Sequence, residues 1–287
     1  MSGPIVVGVD GSRSALAAVR WAAEEAVRRG APLKLVHAYL VPARNVPGMS
    51  GREVRQAFEE QGVRWLDQAA HTVRDLVPDL RTSVMAELPV AAMIAESRTA
   101  GLVVLGSQGL GGFVGMLIGS VAVAVVAHGV CPVVVVRGEL PAAGPVVVGV
   151  DGSPAAEEAI GFAFAEASTR RTTLVALLAW TVLLADTPYA TRLKVDWDEV
   201  ERQQEQLLAQ RLAGWQEKYP DVDVERRVVR ERASRALLDA ARHAQLLVVG
   251  SRGRGGVAGM VLGSTSQAMV YHSPCPVAVV RPPRSDT

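Results

Sequence analysis

Short runs of valine, leucine and isoleucine recur along the chain, each followed by a longer stretch in which apolar residues return every third or fourth position. Apolar runs of this length read as strands buried on both faces, and the 3.6-residue period reads as helices that cover them. In the first half, strands are expected near Ile5 to Val9, Leu33 to Tyr39, Ser83 to Glu87, Leu102 to Gly106 and Pro132 to Arg137. Between them, Leu16, Val19, Ala23, Ala26 and Val27 mark one helix face, and Val54, Phe58, Leu66, Ala69 and Val73 another. The second half repeats the alternation, with strands near Val146 to Val150, Leu174 to Trp180, Val222 to Val229, Leu246 to Gly250 and Pro276 to Arg281. Its longest helix is marked by Val200, Leu207, Leu208, Leu212 and Trp215. The pattern predicts an α/β chain of two tandem Rossmann-like, doubly wound domains, each a five-stranded, mainly parallel sheet with helices on both faces. Ligands of such sheets bind beyond the carboxyl ends of the strands, so chemistry is sought in the residues that follow each strand.

The two halves are copies. Val6 to Ser12 and Val147 to Ser153 both read VVGVDGS, at an offset of 141 residues. GSQGLGGFVGMLIGS at Gly106 to Ser120 matches GSRGRGGVAGMVLGS at Gly250 to Ser264 in nine of fifteen positions. Each copy closes alike, with CPVVVVR at Cys131 and CPVAVVR at Cys275. The domains are therefore expected at 1–138 and 145–287, joined by the Pro/Gly/Ala stretch from Gly138 to Pro145, which has no hydrophobic period.

Composition narrows the function. With 287 residues, 49% hydrophobic and 21% charged, the chain has ordinary globular usage and can bury two cores. A net charge of +1 and the lack of like-charge runs argue against nucleic-acid or membrane-surface binding. No leader-like N-terminus or spanning stretch is legible, so a cytoplasmic location is expected. Two cysteines, Cys131 and Cys275, are too few for a disulfide framework and are expected to be reduced and buried.

Candidate chemistry centres on a glycine-rich loop after the fourth strand of each copy. It holds Gly106, Gly109, Gly111, Gly112 and Gly119 in the first copy and Gly250, Gly253, Gly255, Gly256 and Gly263 in the second. Glycine lets backbone approach a phosphate closely and take positive φ, while a helix starting at Ser120 or Ser264 aims free N–H groups at an anion. A Walker A loop is excluded because the lysines are Lys34, Lys194 and Lys218, none of them in these loops. A dinucleotide fingerprint fails because copy one has Val114 at the last position and the expected acid is missing. His128 with Cys131 and His272 with Cys275 have zinc-like spacing but sit at helix ends, where a histidine also suits the helix dipole, and no metal site is expected.

The spacing Gly-x2-Gly-x9-Gly-Ser, intact in both loops, together with the opening Val-Asp-Gly-Ser and the closing Cys-Pro-Val strand, resembles the ATP-binding branch of the universal stress protein family over essentially the whole chain. The resemblance implies ATP, with or without Mg2+, held in each copy. In the first copy the implied site residues are Gly8, Asp10, Ala38, Gly106, Ser107, Gln108, Gly109, Leu110, Gly111, Gly112, Gly119, Ser120 and Val121. In the second they are Gly149, Asp151, Ala179, Gly250, Ser251, Arg252, Gly253, Arg254, Gly255, Gly256, Gly263, Ser264, Thr265 and Ser266. By the same resemblance Asp10 and Asp151 seat the ribose side, Ala38 and Ala179 offer backbone to adenine, and the helix-opening residues meet the terminal phosphates. Ser12, Ser153, Ser120 and Ser264 have a competing role as helix N-caps, and Asp10 and Asp151 as turn acids. His37 is read as structural, since Leu178 stands opposite it in the second copy.

No nucleophile-base pair or paired carboxylate accompanies the loops, so binding is expected rather than catalysis, with regulation of stress response or growth implied by the resemblance. The alternatives are a slow ATPase or adenylyl-transferring enzyme in the same crevice and a pure interaction module. Arg252 and Arg254 replace Gln108 and Leu110, so tighter phosphate binding is expected in the second copy. The apolar closing strands are aggregation-prone if left as bare edges. The resemblance therefore implies that they pair within the chain, and a homodimer and an unidentified regulatory protein partner are expected besides.

Overall fold

The computed structural model describes residues 3–41, 50–109, 118–137, 141, 143–181, 196–253 and 261–282. Contacts divide the chain into two compact units between Gly138 and Glu139.

The first unit runs β1 (Ile5–Gly8), α1 (Arg13–Arg29), β2 (Leu33–Ala38), α2 (Gly51–His71), β3 (Leu80–Met85), α3 (Pro89–Glu96), β4 (Leu102–Gly106), α4 (Ser120–His128) and β5 (Val133–Val136). Its strands lie in the order β3-β2-β1-β4-β5, every pair parallel, with Ile5 opposite both Leu33 and Leu102. Helix α1 packs on β1, β4 and β5 and α2 on β2 and β3, while α3 and α4 pack on each other and on β2 and β5. Because helices cover both faces, the inner strands are apolar without alternation: Val103, Val104, Val134 and Val135 are fully buried.

The second unit repeats this with β6 (Val146–Gly149), α5 (Pro154–Arg170), β7 (Leu174–Ala179), α6 (Trp197–Lys218), β8 (Val224–Val229), α7 (Ala233–Ala241), β9 (Leu246–Gly250), α8 (Ser264–His272) and β10 (Val277–Val280). Its order is β8-β7-β6-β9-β10, again all parallel. The expected doubly wound α/β architecture is thus present twice.

Local chemistry explains where the elements begin and end. Ser12 caps α1 by accepting from the Ala15 N–H, and Ser153 caps α5 by accepting from Ala156. Ser50 and Glu53 form a reciprocal capping box on α2. Helix α1 stops at Gly30, whose φ of 59° is the left-handed conformation glycine takes without strain.

Two expectations need correction, and two helices carried no residue-level reading. Strand β3 starts at Leu80 rather than Ser83, because Arg81, Thr82 and Ser83 on an edge strand need no second buried face. Val27 and Phe58, read as core-facing, are substantially exposed; Phe58 lies instead against the Tyr39 ring, centroids 5.9 Å apart. Helices α3 and α7 carry no residues singled out by the periodicity, being only eight and nine residues long.

Cys131 and Cys275 are free and buried, and burial pushes both thiols up to about 11 from the ordinary 9. The fold keeps protonated a group that the unfolded chain would ionise. This contribution is therefore complete below pH 9 and lost as pH rises through about 11. Urea titrations across that window should show stability falling by at most roughly 3 kcal/mol per thiol more in the native sequence than in a Cys131→Ala, Cys275→Ala double variant. Parallel pH profiles would contradict the burial of the thiols.

Candidate functional site

In each unit the strand order reverses next to its first strand, between β1 and β4 and between β6 and β9, which opens a crevice at the carboxyl ends of those strands. A cavity of about 430 Å³ occupies it in the first unit and one of about 470 Å³ in the second. Both fall in the range that holds a small-molecule ligand.

The floor of each cavity is built the same way. Asp10 accepts the Ser12 N–H at 3.0 Å, and Asp151 accepts that of Ser153 at 2.9 Å, so each carboxylate is held in a side-chain turn that also positions the helix cap. The capping hydroxyls then donate across the crevice, Ser12 to the Gln108 carbonyl at 3.1 Å and Ser153 to that of Arg252 at 3.2 Å. The loop after the fourth strand is closed by the Gly119 N–H donating to the Ser107 carbonyl and, in the second unit, by that of Gly263 donating to the Ser251 carbonyl. This fixes the starts of α4 and α8 against the loop.

Gly109 and Gly253 are required by space. A Cβ on Gly109 would strike the Asp10 carboxylate, and one on Gly253 that of Asp151. The expected positive φ is not the reason: among the described glycines the positive values in these crevices belong to Gly11 and Gly152, in the loop after the first strand. Close approach of backbone to carboxylate and ligand is what these loop positions need.

The two roles weighed for the serines separate cleanly. Ser12 and Ser153 are caps. Ser120 and Ser264 are not: the N-caps of α4 and α8 are Gly119 and Gly263, without a side-chain bond, and the exposed serines line the cavities as first helical residues. Their hydroxyls and the unbonded N–H groups of the first helical turn face the same space, an arrangement suited to an anion.

Of the expected site residues, Gly8, Asp10, Ala38, Gly106, Gln108, Gly109, Gly119, Ser120 and Val121 line the first cavity. Gly149, Asp151, Ala179, Gly250, Arg252, Gly253, Gly263, Ser264, Thr265 and Ser266 line the second. Ser107 and Ser251 are not among the lining residues; Ser251 is fully buried and its hydroxyl has no hydrogen-bond partner among the described residues. Leu110, Gly111, Gly112, Arg254, Gly255 and Gly256 lie outside the described residues. The linker from Gly138 to Pro145 falls partly outside them as well.

Sequence reasoning missed the apolar walls. Trp65 and Met93 line the first cavity, from α2 and α3, and Ala233 and Leu237 the second, from α7. Their only sequence signal was hydrophobicity, which reads equally as core. The Trp65 indole rests against Gly11, where a side chain would collide with it, and meets His37 edge-on at 5.1 Å. His37 Nδ1 lies 2.7 Å from the Val9 carbonyl, so the imidazole braces the crevice from behind, in line with its structural reading.

Among the described residues no group of three or more His, Cys, Asp or Glu side chains gathers as a metal site, and no helix is long and apolar enough to cross a membrane.

A family model described as "Universal stress protein family" matches the chain twice, over residues 1–137 and 143–281. A universal stress protein of Mycolicibacterium smegmatis is 42% identical over 288 residues, covering 97% of each chain. One from Mycobacterium tuberculosis is 40% identical over 290 residues, covering 96% of each. Among solved structures, a universal stress protein from Archaeoglobus fulgidus superposes with a TM-score of 0.70 at 19% identity, over 97% of this chain and 98% of that one, a likeness of fold. Matched by the family model in both halves and by relatives along its whole length, the chain belongs to the universal stress protein family as a tandem two-domain member.

Proposed function

We propose that the chain binds one adenine nucleotide in each unit, ATP with or without Mg2+, and that occupancy regulates its interactions in stress response or growth. The observation that carries this reading is the repetition of one cradle in two units of diverged sequence. Each pairs a carboxylate fixed by a side-chain turn with a glycine that admits no Cβ and a helix opening on Gly-Ser. The parts suit a nucleotide end to end. Unbonded N–H groups at the starts of α4 and α8 would meet the phosphates, Asp10 and Asp151 would accept ribose hydroxyls, and the backbone at Ala38 and Ala179 would meet the base. Mg2+, where present, would neutralise phosphate charge.

Calorimetric titration should therefore find about two adenine nucleotides per chain, one for each anion cradle. Gly109→Val and Gly253→Val should each remove one binding event or weaken it by about tenfold or more, the scale of a charge-assisted hydrogen bond or two. Circular dichroism should stay native, since the substitutions fall in surface loops. A native chain that binds no adenine nucleotide would refute the proposal.

The described lining supports binding without turnover. His, Cys, Glu and Lys do not occur among the described lining residues of either cavity, and the one carboxylate in each already accepts a backbone N–H. Among the described lining residues these carboxylates are thus the only acidic side chains, with no His, Cys, Glu or Lys beside them to activate water or a hydroxyl. Purified protein with ATP and Mg2+ should release phosphate or pyrophosphate no faster than its Gly109→Val, Gly253→Val double variant. Rapid turnover abolished by Asp10→Asn or Asp151→Asn would install the enzyme reading instead.

A further inference from the structure

The two cavities share a backbone but not a charge. Strand register sets the correspondence: Ala38 pairs with Met85 at the end of β2, and Ala179 with Val229 at the end of β7. The next residue is Ala86 in the first unit and Arg230 in the second, both exposed. The residue capping the following helix is Leu88 in one and Arg232 in the other, also both exposed. In the phosphate loop Gln108 answers to Arg252, and at the second position of the helix beyond it Val121 answers to Thr265.

Every one of these exchanges runs the same way. The lining of the second cavity gains the Arg252 guanidinium and the Thr265 hydroxyl where the first has an amide and methyl groups, and the segment between β8 and α7 adds Arg230 and Arg232 where the first unit has Ala86 and Leu88. Arg252 lines the second cavity and forms no ion pair with a described residue, so its charge is available to a ligand. Arg230 is held with its guanidinium 4.0 Å from the Trp197 ring centroid, a contact that fixes the group without neutralising it. Arg232 directly precedes Ala233, which lines the cavity, and a charge within the screening length of about 8–10 Å acts on an anion held there. Thr265 and Val121 are nearly isosteric, so the exchange alters hydrogen bonding and leaves the shape of the site alone. The first cavity has Trp65 and Met93 in its wall, with exposed Leu88 beside lining Pro89, surfaces that favour an apolar or weakly charged group.

We infer that the cavities are built for ligands of different charge: the second for the triphosphate, and the first for an adenosine compound of low charge, at the monophosphate level. The inference rests on the adenine-nucleotide reading above and adds selectivity to it. Gln108, Val121 and Trp65 on one side, and Arg252 and Thr265 on the other, are the specificity-determining residues.

The test measures AMP and ATP affinity separately in each cavity of the full chain. Gly253→Val isolates the first cavity, followed in addition by Trp65 fluorescence, and Gly109→Val isolates the second. The ratio of ATP to AMP affinity should be at least about tenfold higher in the second cavity, the scale of one charge-assisted hydrogen bond, and ATP binding there should weaken more steeply with salt. Gln108→Arg with Val121→Thr should raise that ratio in the first cavity, and Arg252→Gln with Thr265→Val should lower it in the second. These positions are exposed or half-buried, so the exchanged chains keep their fold and serve as the check if a glycine variant does not. Equal ratios in both cavities, or ratios that do not follow the exchanges, overturn the inference while leaving nucleotide binding intact. A chain that binds neither nucleotide at either cavity overturns the parent reading, and this one with it.

Discussion

Reversal of strand order beside the first strand of each unit is the constraint from which the site follows. The chain leaves β1 for β2 and β3 on one side, then crosses back to lay β4 and β5 on the other, so the connections from β1 and β4 diverge and leave a gap between their ends. The gap stays open only if the two strand ends are bare. Both are glycine: a Cβ on Gly8 would press on Leu105, and one on Gly106 would strike the first turn of α1 at Ser14. With Gly106 bare, α1 comes near enough for the Ser14 hydroxyl to accept the Gln108 N–H and for Ser12 to reach the Gln108 carbonyl. The loop that would cradle an anion is thereby tied to the helix that follows β1. The second unit does the same with Gly250 against Ala155 and Ser153 on Arg252.

What sequence revealed depended on whether the signal was local. Buried strands such as Leu102–Gly106 and Leu246–Gly250 were read to the residue, because covering both faces with helices leaves no choice but a continuous apolar run. The starts of α4 and α8 were equally legible, since a Gly-Ser pair before an apolar stretch is a short-range signal. Strand β3 was read late because an edge strand answers to one neighbour, and Arg81 to Ser83 carry no core pattern. Trp65 could not be assigned to a cavity from its own helix. Its position follows from the bare Gly11 on another loop, and only the fold brings the two together. Among the described glycines of the two crevices, positive φ occurs at Gly11 and Gly152, in the loop after the first strand, and not at Gly109 or Gly253: glycine shows that something is close without saying what.

Duplication gives the molecule an internal comparison that a single domain lacks. Where both units have the same residue in the same bond, as with the Asp10 and Asp151 turns or the Ser12 and Ser153 caps, the requirement comes from the backbone geometry they share. Where they differ while the geometry stays put, the residue is free of that requirement. His37 illustrates the second case. It braces Val9 and meets Trp65 in the first unit, while the second places Leu178 in the same strand position and has no tryptophan among the described residues of its cavity wall. An imidazole there belongs with the aromatic wall of one cavity and has no part in the common cradle.

A cradle made of main chain also explains how the two sites could come to differ in charge without loss of fold. The loop is held by the Ser107 N–H on the Val136 carbonyl and the Gly119 N–H on Ser107, matched by Ser251 on Val280 and Gly263 on Ser251, and none of these bonds uses a side chain. Exposed side chains on such a frame can be exchanged for about 0.5 kcal/mol or less, small beside the 5–15 kcal/mol of a typical domain's stability. The loop glycines lack that freedom: a Cβ at Gly109 or Gly253 meets a carboxylate already fixed by its own turn. Fold and cradle are therefore set by glycines, backbone bonds and the Asp and Ser turns common to both units, while the charge beside each cavity is set by residues that the fold does not constrain.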